Sequence, residues 1–354
     1  MKAVVLTGHG DMDKLQYMDY PVPEPAQNEV LIEVHACGMN NTDVWVRQGA
    51  YGTDEDPDAV ASWRRGKPTL EFPRIQGADT VGEVVAVGSN VDPARIGERV
   101  MVDFSIYNTE TDSLADIDYI GHGADGGYAE YCAVPEANAH RVSSDMSDAE
   151  LATFCCAYLT GEHMLDRARV AAGERVLISG AAGGVGGGLI QLCRARGAIP
   201  YAITSRDKAD SVRALGAEGV VLRDQGDWVE QVNTLLNGNA VDVVADVVAG
   251  PLFKELINLL RPEGRYTTAG AFAGPIVELD LRTVYLKHLE IHGSSQGTRK
   301  AFARLVDYIE SGKITANLFA TYPLSEFHRA QTDFMAKGYV GKLVVMPDRF
   351  FQAV

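Results

Sequence analysis

The chain has 354 residues, 46% hydrophobic and 23% charged, an ordinary balance for a globular protein with room for two domains. A net charge of -16 offers no basic surface to the phosphates of nucleic acid or to an anionic membrane, and no apolar run approaches the roughly 18 residues that span a bilayer. The five cysteines are odd in number and lack a C-x-x-C spacing, which argues against a disulfide framework and for a reducing, cytoplasmic setting.

Met1–Leu6 reads as a short strand rather than a signal peptide. Val30–Ala36 is apolar and then alternates, as a half-buried strand does, and Val81–Gly88 is rich in β-branched residues and closed by glycine. With frequent glycine and proline, residues 1 to about 157 read as a compact β unit. From 158 to 296 the rhythm changes. Arg175–Ser179, Ile199–Thr204, Val241–Asp246 and Gly264–Gly270 read as buried strands that alternate with helical stretches, one of them a polar helix ending near Leu215. That alternation predicts a parallel, doubly wound sheet. Arg299–Glu310 reads as a helix that leads into strand and turn material, and 297–354 is assigned to the first domain.

The run from Ser179 to Gly188 follows a strand and opens a helix, the context in which a glycine motif binds a dinucleotide. Ala182, Gly183, Gly184, Val185 and Gly186 let backbone amides approach a pyrophosphate at the helix N-terminus. Ala181 stands where the first motif glycine is usual. Thr160, near the start of the second domain, is assigned to the same cofactor site. No acid ends the second strand, where an NAD site places one for the ribose hydroxyls. Ser205 and Arg206 stand there instead, a hydroxyl and a planar cation suited to a 2′-phosphate. The reading is NADP(H). The alternative is that Arg206 and Lys208 are solvated charges at a helix start capped by Asp207.

The order of parts, with Ala181–Gly186, the spaced Asn, Asp, Arg, Gly and Tyr of Asn40–Tyr51, and Asp125–Tyr131, resembles the medium-chain dehydrogenase/reductase superfamily over nearly the whole chain. Within it, the motifs are similar to the zinc-free quinone oxidoreductases. The resemblance implies an α/β protein with a GroES-like β-rich catalytic domain (1–157 and 297–354) and a doubly wound parallel-sheet Rossmann domain (158–296). It also implies a small-molecule substrate and a homo-oligomer. Zinc-dependent relatives hold a catalytic metal at positions that fall here on Asn40, Ala78 and Cys156, leaving one ligand of the three needed. Residues 100 to 125 contain no cysteine, so the family's four-cysteine structural site is missing as well. No metal is expected.

Without a Lewis acid nothing obvious stabilises an alkoxide, whereas reducing a quinone or a polarised C=C needs only hydrogen-bond donors for an enolate-like oxygen. By resemblance, Asn40 and Tyr51 line the substrate cleft as an amide donor and a hydroxyl donor. The alternatives are a turn asparagine and a half-buried tyrosine. Asp43 is expected to pair with Lys342, which is also a candidate for a cofactor phosphate. Residues 52–69 look like an insertion, and their basic Trp63–Lys67 cluster suits an anionic substrate or is a solvated loop. The resulting function is an NADPH-dependent reductase of quinones or activated C=C bonds. A zinc-type alcohol dehydrogenase and a non-catalytic NADPH-binding protein remain open.

Overall fold

A computed structural model describes residues 1–51, 70–107, 114 and 117–351. The Trp63–Lys67 cluster lies outside the described residues. The strands and helices follow in chain order. The first stretch carries β1 (Lys2–Leu6), β2 (Leu15–Asp19), β3 (Glu29–Gly38), α1 (Asn41–Arg47), β4 (Arg74–Ile75), β5 (Asp79–Val87), β6 (Arg99–Val102), β7 (Ser105–Tyr107), β8 (Ile117–Tyr119), β9 (Tyr131–Pro135), β10 (Ala139–Arg141) and α2 (Asp148–Leu151). After α3 (Cys155–Arg167) come β11 (Arg175–Ile178), α4 (Gly184–Ala195), β12 (Ile199–Thr204), α5 (Ala209–Ala214), β13 (Gly219–Leu222), α6 (Trp228–Leu236), β14 (Val241–Asp246), α7 (Phe253–Leu259), β15 (Leu260–Thr268), α8 (Leu281–Leu286), β16 (Glu290–Gly293) and α9 (Arg299–Glu310). The last elements are β17 (Leu318–Pro323), α10 (Phe327–Ala336) and β18 (Lys342–Met346).

These residues form two compact units. The first takes Met1–Cys156, Leu318–Gly338 and the segment from Lys342; the second takes Ala157–Asn317 and Tyr339–Gly341. The chain therefore returns to the first unit at Leu318, where 297 is the sequence expectation. The reason is α9: Thr298 caps it by accepting from the Ala301 amide, and it buries Ala301, Phe302, Leu305 and Ile309 along one face.

In the first unit the largest sheet runs β10-β6-β5-β3-β18-β17. Long β3 pairs antiparallel with β5 along one edge. Its other edge is shared, β9 taking Glu29–Glu33 and β18 taking Cys37 and Gly38. Two strands from distant parts of the sequence thus flank the C-terminal end of β3. The amides of Gly126, Gly127 and Tyr128 donate backbone bonds to the carbonyls of Ile75, Gly77 and Gln76 in an irregular segment that feeds β9.

In the second unit the sheet order is β13-β12-β11-β14-β15-β16, all parallel. The central strands β11 and β14 are mostly apolar and largely buried, as expected of a parallel sheet covered by helices, whereas the edge strand β16 (Glu290–Gly293) is polar and partly exposed. One core face gathers Leu177, Ile203, Val221, Val244, Leu256 and Tyr266. The order reverses between β11 and β14, the crevice where such sheets take their ligands.

Candidate functional site

The cofactor motif lies in the second unit, between β11 and α4. Gly180 adopts φ +59°, a left-handed conformation that favours glycine. Ala181 is tolerated at the usual first-glycine position because this turn falls one residue earlier. A Cβ on Gly186 would lie 2.3 Å from the Gly180 carbonyl oxygen, so α4 packs against the loop as closely as glycine permits. Gly183 is the N-cap of α4 and no side chain caps the helix. The amides of Gly184, Val185 and Gly186 open its first turn, a place where a helix can meet an anion. The Ala182 carbonyl accepts from the Gly341 amide. Thr160 is buried on α3.

Ser205 and Arg206 follow β12 directly. Arg206 is exposed, and its guanidinium donates to Gln225 Oε1 at 3.0 Å. Asp207 does not cap a helix in this arrangement; its carboxyl is held low chiefly by a hydrogen bond from the Ser205 hydroxyl. An acid does approach the end of β12, from a place the strand-end rule does not inspect. Asp224, beyond β13, accepts from the Arg206 amide at 3.1 and 3.2 Å.

A polar network absent from the sequence expectations braces the crevice. Buried Asp246, at the end of β14, accepts from the Ser179 hydroxyl, from Tyr266 OH at 2.5 Å and from the Val248 and Ala249 amides at 2.8 and 3.1 Å. It ties the ends of β11, β14 and β15 together and holds Ala249 at φ +54°, ψ -139°, a conformation rare for a residue with a side chain. An Asp closing an apolar strand was the available signal.

In the first unit, sheet register brings the other candidates together. Asp79 opens β5 directly opposite Gly38, and Lys342 opens β18 beside the same end of β3. A Cβ on Gly38 would sit 2.7 Å from Asp79 Oδ2, so glycine makes room for that carboxylate. Lys342 is buried and donates three bonds from Nζ: to Asp79 Oδ2 at 2.7 Å, Asn40 Oδ1 at 2.6 Å and the Met39 carbonyl at 2.8 Å. Burial alone would lower its pKa, but the Asp79 carboxylate outweighs this and holds it above the ordinary lysine value.

One expectation is corrected here. The ion-pair partner of Lys342 is Asp79, not Asp43. All three Nζ bonds of Lys342 go to buried acceptors within its own unit. Asp43 instead accepts from Tyr128 OH at 2.6 Å and the Asn40 amide at 2.9 Å. Burial lifts its carboxyl to about 6, against the pull of those two donors.

The lysine contact decides which way Asn40 faces. Nζ claims Oδ1, so the amide nitrogen is the end left to donate, and its contact to the Gly38 carbonyl is a weak 3.4 Å. Tyr51 follows α1, with its ring edge-on to Trp45. Burial pushes its hydroxyl up to about 12, opposed by a hydrogen bond with Thr42. It is therefore a proton-bearing donor at neutral pH. Thr42 Oγ1 also meets Tyr119 OH at 2.9 Å.

The three metal-ligand positions do not fit a catalytic zinc. Asn40 Oδ1 already accepts from a fixed ammonium, Ala78 carries no ligand atom, and Cys156 alone offers a thiol. A dication there would face the buried charge of Lys342, and two of the three required ligands are lacking.

Two family descriptions match the chain: "Alcohol dehydrogenase GroES-like domain" over residues 26–144 and "Zinc-binding dehydrogenase" over 184–311. The second match covers the dinucleotide unit and none of the positions 40, 78 and 156. A crystal structure described as a putative alcohol dehydrogenase from Sinorhizobium meliloti 1021 is 67% identical, with a TM-score of 0.94 over 98% of this chain and 97% of that one. The quinone oxidoreductase of Sus scrofa is 28% identical, covering 96% of this chain and 95% of its own length. An alcohol dehydrogenase of Schizosaccharomyces pombe is also 28% identical, covering 88% of both. Together with the 3-2-1-4-5-6 sheet and its uncapped glycine loop, these matches show that the chain belongs to the medium-chain dehydrogenase/reductase superfamily, oxidoreductases that work with a nicotinamide cofactor on small molecules.

Proposed function

We propose that the protein is an NADPH-dependent reductase of quinones or activated C=C bonds and that it works without zinc. One observation supports this reading: the Lys342 ammonium is hydrogen-bonded to Oδ1 of Asn40, the residue at one of the three positions that zinc-dependent relatives use for a ligand, which leaves hydrogen-bond donors for the acceptor. The bound nicotinamide supplies a hydride to an electrophilic carbon. The residues of this chain do the rest. The Asn40 amide donates to the acceptor's oxygen as negative charge builds there. The Tyr51 hydroxyl, kept protonated by burial, is a second donor and the proton source that completes the reduction. Asp43 fixes the start of α1 through the Asn40 amide. The pyrophosphate is held by the amides of Gly184, Val185 and Gly186, with Ala182, Gly183 and Thr160 forming the rest of the cradle. Ser205 and the exposed Arg206 receive the 2′-phosphate, while Asp224 is occupied by the Arg206 backbone.

A homo-oligomer and a cytoplasmic location complete the proposal. β16 ends the parallel sheet with an open edge. The same region of the second unit exposes Phe272, Ile276, Leu281, Tyr285, Leu286 and Ile291, an apolar collection that a second copy would cover. The five cysteines are free thiols. Among the described residues no helix is long and apolar enough to cross a membrane.

The test is NADPH oxidation against quinones, α,β-unsaturated ketones and enoyl thioesters, with metal analysis of the same sample. Turnover of at least one class by metal-free protein is expected. Stoichiometric zinc together with alcohol-dependent NADP reduction would overturn the proposal.

A further inference from the structure

We infer that Lys342 is a positioning residue that acts through Asn40: its ammonium fixes the direction of the Asn40 amide and strengthens its N–H as a donor. The inference rests on the reading of Asn40 as the oxyanion donor and adds to it the group that makes an ordinary asparagine fit for that role.

The argument starts from a buried amide with two unlike ends. An asparagine side chain turns over readily unless its partners distinguish oxygen from nitrogen. Lys342 has only donors, so its 2.6 Å contact is possible with Oδ1 and not with the amide nitrogen. The ammonium is itself immobile, held by Asp79 Oδ2 and the Met39 carbonyl at 2.7 and 2.8 Å. Asp79 is fixed in turn by the Cys156 amide at 2.6 Å and by the glycine gap at position 38. A positive charge on the carbonyl oxygen of an amide draws electron density from its nitrogen. The N–H bonds become more acidic, as in any chain of polarised hydrogen bonds in a low-dielectric interior. The site thus carries a cation one amide removed from the substrate oxygen, which favours the negative charge that builds there during reduction.

Lys342→Met alone strands the buried Asp79 carboxylate and lowers the melting temperature, so its activity is uninformative. The informative variant is the pair Asp79→Asn and Lys342→Met. It removes both charges together, keeps an acceptor for the Cys156 amide, and takes the ammonium away from Asn40 Oδ1. The expected result is a melting temperature near that of the wild type, a kcat lowered on the order of tenfold to a hundredfold, and an unchanged KM for NADPH. Recovery of kcat together with thermal stability would show Lys342 to be merely structural. A second reading does not depend on turnover: the side-chain ¹⁵N amide resonances of Asn40, assigned by their loss in Asn40→Asp. They should shift in the paired variant, and unmoved resonances would overturn the inference. Failure of the wild type to oxidise NADPH with any acceptor would refute the proposed function, while the amide resonances would still decide the role of Lys342.

Discussion

Replacing Asp43 with asparagine tests the electrostatics of the site through stability alone. Asp43 is 3% exposed and its carboxyl is lifted from an ordinary 3.8 to about 6, burial being the main cause. Between those two values the native state keeps a proton that the unfolded chain has released. Stability must therefore fall as pH rises through this window. Each pKa unit corresponds to ~1.36 kcal/mol, so the full loss by pH 7 is about 3 kcal/mol. Asparagine cannot ionise. Both the Tyr128 hydroxyl and the Asn40 amide donate to Oδ2, so an asparagine with its oxygen there keeps both bonds and puts an NH2 in place of Oδ1, an offset that does not vary with pH. The assay is urea unfolding of both proteins from pH 4 to 7.5 at fixed ionic strength. Carboxylates elsewhere cancel in the difference. That difference should move in favour of the variant by roughly 2.5 kcal/mol between pH 4 and 7, the first part of the loss having already occurred at pH 4. A flat difference, or one that moves toward the wild type, would refute the claim that Asp43 is ionised at a cost.

Three further outcomes follow from the geometry. Arg206→Ala should raise the KM for NADPH by about tenfold, the worth of one charge-assisted contact, with little change for NADH. Steady-state kinetics check this, and equal use of both cofactors by the wild type would remove the assignment. Gly186→Ala places a methyl 2.3 Å from the Gly180 carbonyl oxygen and 2.7 Å from the Ala181 Cα, so α4 must move away from the loop. Fluorescence titration should show dinucleotide binding weakened by roughly tenfold or more, together with a lower melting temperature; unchanged binding would mean that the loop is not the cradle. Ile291→Glu puts a charge on the exposed edge strand β16 and should shift the protein to a smaller species in light scattering, whereas an unchanged mass would discard that edge as the interface.

Local pattern carried much of the architecture. Ile199–Thr204, Val241–Asp246 and Arg299–Glu310 are legible to the residue, because a buried parallel strand is a short, mostly apolar run and an amphipathic helix repeats every three to four residues. The glycine loop was legible for a similar reason: what a pyrophosphate needs is local in sequence. The pairing of charges was not. In the sequence Asp43 is the partner expected for Lys342, and nothing local singles out Asp79. Only the register of β5, β3 and β18 settles the matter, by opposing Asp79 to Gly38 and setting Lys342 beside it. The same holds for Asp224 beside Arg206 and for Tyr128 on Asp43.

By itself, then, the sequence determined the alternating β and α elements and the glycine-rich turn between a strand and a helix, since each is a property of neighbouring residues. The tertiary structure alone decided which acid neutralises Lys342, which end of Asn40 is left to donate, and why the chain leaves the second unit at Leu318. Those outcomes depend on sheet register and helix packing between segments hundreds of residues apart, and no local pattern encodes them.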